Sequence, residues 1–114
     1  MSEVEYCQVS TTADSQEAAT QLARSAVESR FAACGQVVGP ITSVYRWEGS
    51  IENAVEWLVL FKTTIDRSTA LIEYVRSHHS YAVPEIIVTP LTGGNPGYLA
   101  WVAEESHSSA EIPG

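Results

Sequence analysis

Ala54-Val55-Glu56-Trp57-Leu58-Val59-Leu60-Phe61-Lys62-Thr63-Thr64, residues 54–64, form the most continuous apolar run in the chain, broken only by Glu56 and Lys62. A run of this length with large apolar side chains at both odd and even positions reads as a strand in the interior of a sheet. Its two charges are six residues apart and therefore lie on one face. Burial of an unpaired charge is costly, so Glu56 and Lys62 are expected to line something polar. Two arrangements satisfy that expectation: an ion pair across a subunit interface, with Arg46 or Glu85, or a pocket for a metal or an anion between subunits.

The flanking segments set the topology. Before the run, Val37 to Trp47 is β-branched and aromatic, with Pro40 marking a bend or an unpaired edge and Glu48-Gly49 a turn. That predicts a long strand entering a hairpin. Further upstream, residues 4–12 read as a strand, and Asp14-Ser15-Gln16-Glu17 reads as a capping box with Asp14 as N-cap. It opens a stripe of Ala19, Leu22, Ala23, Ala26, Val27 and Phe31, predicting a helix to about Ala33. After the run, Asp66 is expected to cap a second helix through Ala70, Leu71, Tyr74 and Val75 up to His78-His79. Pro84 stops any continuation. Residues 84–91 read as a strand, 93–97 (GGNPG) as a loop, and 98–105 as a short helix.

This order, β-α-β-β-α-β with a short C-terminal helix, predicts an α+β, ferredoxin-like domain over residues 1–105, with two helices on one face of a four-stranded antiparallel sheet. The polar, Ser-rich stretch 106–114 is expected to be disordered. No element remains to cover the second face. With Trp47, Val55, Trp57, Val59 and Phe61 assigned to that surface, identical subunits are expected to pack their sheets together in a closed ring.

Composition narrows the partners. The 114 residues are 45% hydrophobic, enough for one core, and carry a formal net charge of −8. That charge repels nucleic acid and anionic membrane surfaces. No apolar run nears the ~20 residues of a membrane-spanning helix, and MSEVEYCQVS has no signal-peptide character, so a cytoplasmic location is expected. Cys7 and Cys34 are read as thiols.

Several segments share an order with a known family: Phe31-Ala32-Ala33-Cys34, Pro40 to Gly49 (PITSVYRWEG), Lys62-Thr63, His79 to Ile86 (HSYAVPEI) and Tyr98-Leu99-Ala100-Trp101. Over roughly residues 5–103 the chain closely resembles the CutA family of divalent-cation tolerance proteins. The resemblance implies a ferredoxin-like subunit in a tight homotrimer, PII-like in plan, and a cytoplasmic role in tolerance to copper and other divalent metals. Ser80 and Ala82 stand where the family commonly has Pro and Glu, Gly35-Gln36 follow the AAC segment, and Thr11 aligns with a copper-binding Cys of some bacterial members.

Copper or zinc takes imidazole, thiolate and carboxylate donors, and the chain offers His79, Glu56 and Cys34 as a candidate metal set, without diagnostic spacing. Adjacent His78 and His79 diverge by about 100° on a helix, so one at most faces a given pocket. His78 reads as an imidazole at a helix C-terminus. His79 is open to either role, and it is the position the family motif selects. Cys34 is also open to a buried, hydrophobic role. Lys62 and Arg46 are the candidate cations for an alternative ligand, a small anionic metabolite in an inter-subunit cleft. Tyr45, Trp47, Trp57 and Trp101 are assigned to core and interface. GGNPG lacks the Lys-Ser/Thr of a phosphate loop, and no nucleophile-base-acid set stands out, so a binding protein rather than an enzyme is expected.

Overall fold

The computed structural model describes residues 4–107. Its elements are β1 (Tyr6–Ala13), α1 (Gln16–Glu28), β2 (Cys34–Trp47), β3 (Ser50–Thr64), α2 (Ile65–His78), β4 (Ile86–Leu91) and α3 (Pro96–Glu105). The strands form one antiparallel sheet in the order β2-β3-β1-β4. The apolar run is thus an interior strand, and the split β-α-β arrangement expected of the sequence is present.

Strand register decides which side chains meet the helices. Val9 stands opposite Phe61 and Thr11 opposite Val59. All four are fully buried. Val9, Val59 and Phe61 form one cluster with Ala19, Leu22, Ala23 and Ala26 of α1 and Leu71 and Val75 of α2. Each large side chain so buried contributes about 1.5–3 kcal/mol of transfer free energy. Val59 and Phe61, assigned above to the uncovered face, therefore belong to the core. Trp57 leans on the same cluster. The uncovered face carries the even positions instead: Leu58, Leu60, Glu56 and Lys62 of β3, with Val38 of β2 and Ile87 of β4.

Beyond the last β1 partner, Trp57, the β2–β3 pair continues alone as a two-stranded arm. It ends in a two-residue turn, with Glu48 at φ 49 and Gly49 at φ 84, the doubly left-handed geometry that suits a right-twisted hairpin. The register of β2 shifts between Val38 and Ile41. Pro40 sits in that irregularity on an edge strand, where its missing N–H breaks no interior ladder.

Helix ends differ from expectation in identifiable ways. α1 begins at Gln16, so its cap is Ser15, whose side chain accepts from Ala18 N at 3.0 Å; Asp14 is one residue too early and is not the cap. α1 stops at Glu28, short of Ala33, in a Schellman turn: Phe31 N–H donates to Ala26 O and Arg30 N–H to Val27 O, each at 3.0 Å. α2 begins directly out of β3 with Thr64 as its N-cap, so Asp66 lies in the first turn rather than at the cap. β4 starts at Ile86 because residues 79–85 form an ordered loop, described below. Asn95 caps α3, its side chain accepting from Gly97 N at 3.1 Å with Pro96 at the helix start. Ser106 closes α3 through its N–H to Val102 O at 3.2 Å. The rest of the tail expected to be disordered, from residue 108, lies outside the described residues. Among those described, no helix is long and apolar enough to cross a membrane.

Candidate functional site

Where the arm leaves the sheet, a cavity of about 630 Å³ opens, lined in part by Thr12, Tyr45, Trp47, Glu56, Tyr81 and Glu85. Its lining contains two carboxylates and no Lys, Arg or His. Glu56 stands on the uncovered face of β3, opposite Ile41, and is 8% exposed. The burial is offset by a hydrogen bond: Tyr81 Oη donates to Glu56 Oε2 at 2.8 Å. Burial, then the Glu56 carboxylate, raises the Tyr81 pKa well above the usual phenol range. Tyr81 therefore remains a donor at any physiological pH.

Tyr81 is in turn held by His79. The Tyr81 N–H donates to His79 Nδ1 at 3.1 Å, and the rings pack at 4.7 Å between centroids. The other ring nitrogen, Nε2, lies 2.6 Å from Thr12 O. An amide N–H only donates and a carbonyl only accepts, so these partners fix the neutral Nε2–H tautomer. His78 plays the helix-end part expected of it, with Nδ1 2.8 Å from Tyr74 O and its ring stacked on Tyr74 at 4.1 Å.

Cys34 is elsewhere. It pairs with Lys62, six residues beyond Glu56 along β3, which is about 20 Å away at ~3.3 Å per residue. There its Sγ lies 3.5 Å from Tyr98 Oη. That contact and burial push the Tyr98 phenol up to about 12. Lys62 Nζ donates to Gln36 Oε1 at 2.9 Å. Arg46 stands opposite Ile51 on the arm, eleven residues of β3 from Lys62 and so about 35 Å away. Within one chain the structure thus brings His79 and Glu56 together through Tyr81, but not with Cys34, and does not join Arg46 to Lys62. Glu56 is held by a phenol and not by Arg46, and the ion pairs among the described residues are Arg30 with Glu105 and Glu73 with Arg76.

The copper set also fails on donor chemistry within one chain. Both His79 nitrogens are engaged, Cys34 is remote, and no group of three or more His, Cys, Asp or Glu that could hold a metal occurs among the described residues. Both cysteines are free thiols. Burial pushes the Cys7 thiol up to about 11. Thr11, aligned with a family cysteine, spends its hydroxyl on Glu85 O at 2.6 Å. Sequence reasoning missed Tyr81 as a functional residue, although its place two residues after His79 is the spacing of a side-chain-to-backbone turn.

A family model described as "CutA1 divalent ion tolerance protein" matches residues 7–105. The mouse Protein CutA is 43% identical over 97 residues, covering 85% of this chain and 55% of its own length. The divalent-cation tolerance protein CutA of Thermus thermophilus is 42% identical over 95 residues, covering 83% of this chain and 92% of its own. This chain thus spans nearly all of the bacterial relative and about half of the mouse one. Among solved structures, CutA1 from Oryza sativa superposes with a TM-score of 0.89 at 39% identity, covering 93% of this chain and 97% of its own. The Thermus thermophilus structure gives 0.87 at 40% identity, covering 90% and 99%. With residues 7–105 matched by the family model and relatives above 40% identity over most of its length, the chain belongs to the CutA1 divalent ion tolerance protein family.

Proposed function

We propose that this chain serves divalent-cation tolerance as a cytoplasmic, homotrimeric binding protein without catalytic activity, and that the cavity beneath its arm receives a hydrated divalent cation. The observation that carries this reading is the charge of the cavity wall, Glu56 and Glu85 with no cationic side chain. Carboxylate, phenol and hydroxyl are hard oxygen donors, and an ion of the Mg²⁺ or Mn²⁺ kind keeps several waters and needs only one or two carboxylates. Copper, the metal expected first from the sequence, prefers imidazole and thiolate, so a copper site using His79 and Cys34 would have to draw on neighbouring subunits. Support for assembly comes from the uncovered face, where Val38 and Ile87 are 46% and 51% exposed. Free thiols agree with a reducing compartment.

Calorimetric titration with Mn²⁺, Zn²⁺ and Cu²⁺ tests the cavity. Glu56→Gln is expected to weaken Mn²⁺ binding at least tenfold, and equal binding by both proteins would remove the cavity as the site. A second reading, a PII-like sensor holding a small anionic metabolite between subunits, is supported by Lys62, whose ammonium stands on the uncovered face with one neutral partner. A thermal-shift screen of organic acids and nucleotides in chelator distinguishes it, because a sensor responds without metal.

A further inference from the structure

Building on the cavity as a cation site, we infer that His79 is a positioning residue and not a metal ligand: its imidazole locks the loop after α2 so that Tyr81 holds the Glu56 carboxylate at the cavity wall. A neutral imidazole has one N–H and one lone pair. In this chain both are committed, the N–H to Thr12 O at 2.6 Å and the lone pair to the Tyr81 N–H at 3.1 Å. A metal at Nδ1 would displace the Tyr81 amide. A metal at Nε2 would take the donor away from the Thr12 carbonyl, on a residue only 4% exposed. The β1–β4 ladder ends at Thr11–Ile86, so the imidazole supplies to Thr12 the donor that β4 no longer reaches.

The consequence of the lock is felt at Glu56. Tyr81 is fixed at its backbone by Nδ1 and at its ring by the packing against His79, and its hydroxyl then meets Glu56 Oε2 at 2.8 Å. Three links join β1 to β3 through the loop, and the one that orients Tyr81 is the bond from its amide to the side chain at 79. The bond from the amide of residue i+2 to a side-chain acceptor of residue i is the contact of an Asx turn. An asparagine at 79 therefore keeps the bond to the Tyr81 amide, though not the one to Thr12 O, while offering no imidazole nitrogen.

The test compares wild type, His79→Asn, His79→Ala, Tyr81→Phe and the double variant His79→Ala/Tyr81→Phe in Mn²⁺ titrations. It adds Cu²⁺ electron paramagnetic resonance and amide exchange at Tyr81. We expect His79→Asn to bind Mn²⁺ within about twofold of wild type, both single variants to bind about tenfold more weakly, and the double variant to be no weaker than either single one. Copper spectra of wild type and His79→Asn should coincide. Nitrogen coupling present in wild type and absent from His79→Asn would make His79 a ligand and overturn the inference, as would a His79→Asn protein as weak as His79→Ala. If wild type binds neither ion, the cation-site reading fails on its own, and amide exchange decides the lock. Exchange at Tyr81 slow in wild type and His79→Asn but at least tenfold faster in His79→Ala upholds it; one common rate overturns it.

Discussion

Arg30 occupies the left-handed position of the α1 Schellman turn, φ 63, where glycine carries no Cβ penalty. Its compensation is slight: the guanidinium donates to Glu105 O at a long 3.5 Å and reaches Glu105 Oε1 only at 3.8 Å, with both side chains exposed. Relief of the backbone should therefore outweigh the lost pair. Arg30→Gly is expected to stabilise the fold by about 0.5–1 kcal/mol, whereas Arg30→Ala, which keeps the Cβ and loses the pair, should not. Thermal unfolding of the two variants side by side checks the sign. Cys7 makes a second prediction. Its thiol is fully buried, and its pKa rises from 9.0 to about 11 on folding. The neutral thiol is the form the folded state favours. The stability it contributes is thus fully present below pH 9 and is lost as pH rises from 9 through about 11. Unfolding in denaturant at stepped pH should show this decline in the wild type. In Cys7→Ala the decline between those values should be shallower by about 2 kcal/mol, because the titrating group is gone.

β3 shows why one strand alone does not reveal its facing. Leu58 and Leu60 are as apolar as Val59 and Phe61, so periodicity within the run leaves both faces eligible for the core. The asymmetry lies in the partner: Cys7 and Val9 of β1 fall on the helix side and Gln8 and Ser10 on the other, and pairing transmits that choice to β3. Order of elements, the hairpin turn and the interior place of β3 were therefore legible in sequence, whereas the burial of Val59 and Phe61 was not. The site divides in the same way. Glu56 announces itself as a charge in an apolar run. The loop that carries Tyr81 is tied to β1 by a hydrogen bond between His79 and Thr12, 67 residues apart in sequence, which no local pattern encodes. The β2 irregularity carries its own prediction. A Cβ on Gly39 would lie 2.5 Å from Trp57 Cδ1 and 2.8 Å from Cγ, so the indole that closes the core at the root of the arm would have to shift. Gly39→Ala should cost about 1–3 kcal/mol. Differential scanning calorimetry would register this as a lowered Tm, and an unchanged Tm would mean that the ring moves without strain.

Across the sheet the two faces have opposite fates: one is sealed by α1 and α2, and the other leaves Val38 46% exposed beside Leu58 and Ile87 51% exposed on β4, with Ser10 between Ile87 and Leu60. The arm adds Trp47 and Val55, 54% and 57% exposed, beyond the reach of the helices. Large apolar side chains left exposed in this way suit a self-association interface. If each subunit removes on the order of 1,000 Å² of it from water, about 25 cal/mol per Å² gives a gross term of roughly 25 kcal/mol per subunit, larger than the ~4–15 kcal/mol charged against association. Trp57 is a poor probe of this, since it also packs on Gly39 and the core. Ile87 is a better one: half-exposed on β4, it can become Asp in an isolated subunit at little cost, but an unpaired carboxylate in a closed interface is expensive. Light scattering at micromolar concentration should return three times the 12.4 kDa of one chain for the wild type and a single-chain mass for Ile87→Asp, with the variant's Tm lowered as well. A wild-type mass near 12.4 kDa would end the homotrimer reading, and an Ile87→Asp protein that still assembles would move the interface away from this face.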